Sequence, residues 1–493
     1  MSDSANEIAL SLISHTNAGK TTLARTLLGR DVGEVRDASH VTTCATSYTL
    51  IDTPEGDALV LWDTPGFGDS ARLARRLAQQ GNPIGWFLSQ VWDRFRDRPF
   101  YLSQQAVRNV RDEADIVLYL VNASEAPADA GYLAPELDVL AWIGRPVFVL
   151  LNQTGRPRPR AEEESEALRW REALGTRPFI HGVLTLDAFA RCWVQEIVLL
   201  RALAPAVAPA KRPAYERLVA TWQARRNAQF EQAIAALAAP IALAAKDQAA
   251  ISNAGLMETL REALRSVIRG PKENEDKQRA VGALADRLDA ALRESTARLI
   301  EIHGLEGRAA KEVTERLVER VHTDAPMDTG KAAMAGGVLS GALTGLAADL
   351  AAGGLTFGIG TLIGALAGAA GGAGFARGFN VLRDRTGTQV VWKDEVLDGL
   401  VVSALLRYLA VAHFGRGRGE WKESEYPPHW REVVRQAVDI RRARLAELWA
   451  RRADAVDAET IEADLRRILR ESARSILDTL YPGALGAADT ERS

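Results

Sequence analysis

Cysteine is almost missing from this chain. Cys44 and Cys192 are the whole supply in 493 residues, which excludes a disulfide framework and a thiolate metal site. Each is expected as a small buried or half-buried side chain. An excess of one charge is missing as well: 61 Lys and Arg stand against 64 Asp and Glu, a net −3. No global field therefore gathers nucleic acid. The first residues are polar and acidic and lack the basic, apolar, small-residue pattern of a secretory leader, so the expected location is cytoplasmic. Zinc spacings, paired-carboxylate sites and nucleophile constellations are absent too. Chain length and 47% hydrophobic content suffice for two or three cores.

What is present begins at Ser14-His15-Thr16-Asn17-Ala18-Gly19-Lys20-Thr21-Thr22. It follows the apolar run Ile8 to Ile13 and precedes Leu23 to Leu28, which reads as a helix. Strand, loop, then Gly-Lys-Thr at a helix start is the context of a P-loop. Loop N–H groups and the positive helix end wrap a polyphosphate. Lys20 would reach the β and γ phosphates, and the Thr21 hydroxyl would hold Mg²⁺. Ser14 stands where the motif usually has its first Gly.

The runs Ser47 to Asp52 and Ala58 to Asp63 flank Pro54-Glu55-Gly56-Asp57 and read as a β-hairpin. The second run ends in Asp63-Thr64-Pro65-Gly66. An Asp at a strand end suits the water shell of Mg²⁺, and Gly66 leaves its N–H free to approach a γ-phosphate. P-loop, paired threonines at Thr42 and Thr43, then D-x-x-G is the order of a GTP-binding switch domain. Residues 7–190 resemble a translation-factor-class GTPase of the Era-like branch. The stretches Gly33 to Thr43 and Leu186 to Glu196 resemble bacterial GTPases that carry a DUF3482 C-terminal domain.

The resemblance implies GTP or GDP as ligand and Mg²⁺ as cofactor. It implies Thr42 or Thr43 as the switch I ligand to Mg²⁺, with Thr43 preferred. Asn17 matches the asparagine that ligates K⁺ in potassium-activated Era-like GTPases. Phe67 follows D-x-x-G where Ras-type enzymes have a water-orienting Gln, so slow turnover with K⁺ or a partner supplying charge is expected. Asn152-Gln153-Thr154-Gly155 occupies the place of the guanine-reading N-K-x-D motif. Gly155 lacks the carboxylate that accepts two guanine N–H donors, which leaves guanine and adenine both open.

The expected fold is an α/β P-loop GTPase domain: a mostly parallel sheet with one antiparallel hairpin strand and helices on both faces. A large all-α domain with a Gly/Ala-rich helical hairpin follows. The expected divisions are 1–190, with a helical insertion at 74–113; 191–330, helical; 331–380, the Gly-rich hairpin; and 381–493, C-terminal helices. Segments 213–248, 256–268, 274–322, 396–412, 427–451 and 458–480 read as helices. Arg377 to Arg385 reads as a basic loop or flank, and the tail after Pro482 as frayed.

Ala332 to Ala348 and Leu350 to Ala376 carry no charge, and glycines recur four apart at Gly360, Gly364, Gly368 and Gly372. Such rows let helix backbones meet closely in lipid and cost about 1 kcal/mol per Gly in a solvated helix. A membrane hairpin is preferred to a buried soluble one. The expected function is a switch that couples nucleotide state to a membrane or membrane-protein partner, at the cytoplasmic side of the inner membrane. A homo-oligomer is compatible with it, and nucleic acid is not indicated. The alternative is a soluble scaffold or ribosome-linked assembly switch with little hydrolysis.

Overall fold

The computed structural model describes residues 6–15, 18–29, 46–77, 98–154, 160–186, 192–251, 272–305, 379–384, 387–413, 428–453 and 457–485. Thr16, Asn17, Thr42, Thr43, Gly155, the 78–97 part of the expected insertion and the Gly-rich stretch 332–376 lie outside them.

Continuous apolar runs build the centre of the first sheet. β1 (Glu7–Ser14) is buried after its first residue, as are β4 (Ile116–Asn122) up to Val121 and β5 (Val147–Asn152) throughout. Strands of this kind need cover on both faces. With β2 (Thr46–Asp52), β3 (Ala58–Asp63) and β6 (Ile180–Thr185) they form a six-stranded sheet in the order β2-β3-β1-β4-β5-β6. β1 runs parallel to β3 and β4, β5 runs parallel to β4 and β6, and β2 alone is antiparallel. The β2–β3 turn is closed by Thr53 Oγ1 donating to Asp57 at 2.9 Å, with Gly56 at φ 87°. The expected sheet, with its one antiparallel edge strand, is the observed one.

Alternate residues of the central strands face a common core. Val117, Tyr119 and Val121 of β4 and Val149 and Leu151 of β5 are buried in one cluster. Helices α3 (Arg98–Asp112), α4 (Leu133–Ile143) and α5 (Arg160–Leu174) supply Val107, Leu137 and Trp170 to it. α1 (Lys20–Leu28) follows β1, and α2 (Ser70–Leu77) follows β3. α6 (Trp193–Leu203) meets α7 (Arg212–Lys246) through Arg226, whose guanidinium holds the buried Glu196 carboxylate at 2.8 Å.

The chain divides into two units: Met1–Ala228 with Ala412–Trp421 and Leu480–Ala487, and Gln229–Val411 with Lys422–Thr479 and Ala488–Ser493. The second unit is built from the rest of α7, α8 (Lys272–Ile302), α9 (Asp394–Ala412), α10 (Pro428–Asp439), α11 (Arg442–Ala450) and α12 (Ala458–Leu480). Side chains tie these helices together. Arg470 of α12 grips Glu231 of α7 at 2.7 Å, Trp449 Nε1 of α11 donates to Asp398 of α9 at 2.9 Å, and the buried Arg407 of α9 donates to Thr296 of α8 at 3.0 Å.

The stretch Pro209–Lys246 is long and apolar enough to cross a membrane, but 56% of its most apolar part is buried in the fold. That is the character of a core helix.

One element differs from the sequence reading. β7 (Gln248–Ile251), β8 (Phe379–Asp384) and β9 (Gly387–Trp392) form a small antiparallel sheet in the order β7-β9-β8. The basic stretch suggests a polar flank, yet Arg383 lies in β8, and the strand paired with it, Thr388-Gln389-Val390-Val391-Trp392, is β-branched and aromatic. Val390 and Trp392 are buried.

Candidate nucleotide-binding site

The parallel strands bring three loops to one edge of the sheet. In register, Leu12 of β1 faces Asp63 of β3, and Asn122 of β4 faces Asn152 of β5. The loops after β1, β3 and β5 therefore emerge together, at the carboxyl ends where α/β sheets take ligands.

Lys20 opens α1 behind Gly19, which sits in the left-handed region at φ 88°. Among the described residues no side chain caps this helix and no acid lies in its first turn. Its first amides are those a helix leaves for an anion. The Lys20 ammonium is buried and donates to Ser14 Oγ at 2.9 Å, and that hydroxyl turns back to the His15 carbonyl. Ser14, the odd letter of the motif, thus serves as a rest for the lysine. Burial pushes the Lys20 pKa down, while Asp63 and Glu136 pull it up.

The Thr21 hydroxyl donates to Asp63 Oδ2 at 2.6 Å, so the two residues expected to share Mg²⁺ already touch. Asp63 is buried, and its other oxygen, Oδ1, has no hydrogen-bond partner. Burial raises its pKa; the Thr21 hydrogen bond and the charges of Lys20 and Arg25 oppose that rise. An orphaned carboxylate oxygen beside a threonine hydroxyl is a hard oxygen pair that fits Mg²⁺ or its water shell.

Gly66 closes this end of the site. A Cβ there would stand 3.1 Å from Lys20 Nζ and 3.2 Å from the Ser14 carbonyl oxygen. The Phe67 N–H donates to that same carbonyl at 3.1 Å, and the Phe67 ring is fully buried in the core. No side chain from position 67 can reach out to orient a water. Ala18 and Thr22 are buried parts of the same loop and helix start.

At the base end, Asn152 is buried and its Nδ2 donates to the Ala18 carbonyl at 2.7 Å. A Cβ on Gly19 would lie 2.7 Å from that nitrogen. Gln153 is held at φ 57°, an unusual place for a residue other than Gly. Glu136 is a buried residue that the sequence reading passed over. Its carboxylate meets His15 Nδ1 at 2.9 Å and accepts from Tyr119 OH at 2.7 Å. No motif marks it, because the contact joins positions 121 residues apart.

Residues 10–153 match the family model described as 50S ribosome-binding GTPase, and residues 171–480 match the domain of unknown function DUF3482. No curated protein matches the chain. Among solved structures, an Era variant from Aquifex aeolicus bound to GDP·AlF₄⁻ is similar at 18% identity and TM-score 0.30, over 41% of this chain and 57% of that one. Era in complex with MgGDPNP and a 16S ribosomal RNA fragment is similar at 16% identity and TM-score 0.28, over 37% and 51%. The chain therefore spans between half and three-fifths of the length of these two. Such likenesses add nothing to what residues 10–153 already show. With a P-loop GTPase domain followed by a helical region that its model matches over 171–480, this chain belongs to the DUF3482 family.

Proposed function

We propose that the chain is a GTP-hydrolysing switch whose helical C-terminal region passes the nucleotide state to a membrane or membrane-protein partner. The observation that carries the catalytic part is the assembly of Ser14, Lys20, Thr21 and Asp63, with Gly66 laid against them. Water attacks the γ-phosphorus in line, the bond to the β–γ bridging oxygen breaks, and GDP and phosphate leave with a proton released to solvent. Lys20 binds the β and γ oxygens and balances charge as it moves to the bridge. Thr21 and Asp63, joined by Thr42 or Thr43, would hold Mg²⁺. When bound, that ion supplies further charge neutralisation to the phosphates. Thr43 is the preferred switch ligand, and Asn17 is the candidate for K⁺.

Competition between GTP and ATP for the full chain tests the ligand. GTP is expected to win, Lys20→Ala is expected to bind neither, and equal affinity in that variant would remove the phosphate site. Flotation with anionic vesicles, with and without residues 332–376, tests the membrane part. Loss of flotation on deletion is expected, and no flotation of either chain would favour a soluble switch. The buried Phe67 ring favours a second reading, a nucleotide-binding scaffold that scarcely hydrolyses. Turnover at background in both K⁺ and Na⁺ would select it.

A further inference from the structure

Glu136 lies on α4 with none of its surface exposed. A buried carboxylate is costly unless its oxygens are taken, and both are. Oε1 meets His15 Nδ1 at 2.9 Å and Oε2 accepts the Tyr119 hydroxyl at 2.7 Å. Burial raises the phenol pKa of Tyr119 well above its ordinary value, and Glu136 adds to that rise. The hydroxyl therefore remains a donor.

His15 is gripped a second time, across its face. Its ring stacks on Tyr132 with centroids 4.3 Å apart and planes 12° from parallel. One contact in the ring plane and one on the ring face leave the imidazole little freedom to turn or tilt. Its backbone is the junction of the site. The His15 carbonyl accepts from Ser14 Oγ, the hydroxyl on which Lys20 rests, and lies 3.4 Å from the place of a Gly66 Cβ. The Ser14 carbonyl next to it takes the Phe67 N–H. Whatever fixes His15 fixes where the phosphate loop, the lysine and the D-x-x-G loop meet.

We infer that Glu136 is a positioning residue of the nucleotide site, acting through His15 to hold the phosphate loop in its binding geometry. The inference rests on the reading of that loop as phosphate-binding. Preorganised loops bind faster and release more slowly, because less ordering is left to binding. A small misplacement at such a loop is felt as a large loss.

Stopped-flow association and dissociation of fluorescent mant-GDP on the full chain, read beside thermal unfolding without nucleotide, tests it. Glu136→Gln keeps the shape and removes the charge, and is expected to speed dissociation on the order of tenfold. His15→Ala, at a partly exposed position, is expected to do the same. Glu136→Gln placed in the His15→Ala background is expected to change the rate less than twofold, as for residues acting as one unit. Effects that multiply in the double variant, or a lowered Tm with unchanged mant-GDP kinetics, would overturn the inference. Failure of the unaltered chain to bind mant-GDP would instead overturn the phosphate-site reading and take the inference with it.

Discussion

At the scale of single residues, the site is decided by atoms too close to admit a substituent. Gly19 is the sharpest case. Its φ of 88° strains any L side chain, and a Cβ would stand 2.7 Å from Asn152 Nδ2, inside contact distance. Gly19→Ala is therefore expected to cost about 1–3 kcal/mol, break the Asn152 bond to the Ala18 carbonyl and weaken nucleotide binding roughly a hundredfold. Isothermal titration with GDP together with a melting curve checks both; an affinity within twofold of the unaltered chain would refute the clash.

The need for Gly at position 19 is legible in the motif, since Gly-Lys-Thr names it. The reason is not, because Asn152 arrives from a strand 133 residues later. Ser14 was legible only as a departure. Its service to Lys20 depends on a side-chain direction that spacing does not encode. Glu136 was illegible for the stronger reason that a lone Glu in an apolar helix carries no pattern, and only the fold brings His15 to it.

At the scale of elements, the β2–β3 hairpin is held by the start of α7. Arg217 clasps Asp57 with two contacts of 2.7 Å and Arg225 meets Asp52 at 3.0 Å, while Lys211, just before the helix, reaches Asp115 ahead of β4 at 2.9 Å. The Asp52–Arg225 pair is exposed at both ends and contributes little. Asp57 differs, because its carboxylate is fully covered while Arg217 stays about half exposed. The Arg217 hydrogen bonds hold the Asp57 carboxyl below its ordinary value of 3.8, against the opposing effect of burial. A carboxyl depressed on folding stabilises at pH above its unfolded value and loses that contribution as pH falls through the folded one.

Asp57→Asn is thus expected to lower Tm by about 2–5 °C at pH 7. The gap should persist to about pH 5 and close below pH 4. Unfolding curves of both chains across that range decide it, and a gap that does not change with pH would remove the ion pair as the cause. The sheet itself was legible, since parallel core strands announce themselves as unbroken apolar runs. The β7–β9–β8 sheet was not. β7 has only four residues and lies more than 120 residues upstream of the β8–β9 hairpin, so no spacing joins it to the other two.

At the scale of the whole molecule, chain order and unit membership part company. Residues Leu480–Ala487 belong with the nucleotide-site unit, although they follow α12 of the other. The sequence after Pro482 reads as a fraying tail. Instead Ala484 is buried and its carbonyl accepts from Arg201 of α6 at 2.7 Å. The Tyr481 hydroxyl meets Nε2 of the buried His413 at 2.7 Å, their rings stacked 5.7 Å apart.

Returning Leu480–Ala487 to the nucleotide-site unit closes a long loop, whose entropic cost grows only slowly with its length. Removal of the segment leaves the Arg201 guanidinium without that carbonyl and the His413 imidazole without its hydroxyl, each a loss of about 1 kcal/mol or more. A chain cut after Thr479 is expected to show faster amide exchange in α6 and at the end of α9 next to His413, with α8 unchanged, because a region opens locally where its own hydrogen bonds and packing are weakened. Added GDP should restore part of the protection, since a ligand of the folded site stabilises by mass action. Exchange that rises in α8 instead, or nowhere, would place the segment outside the nucleotide-site unit.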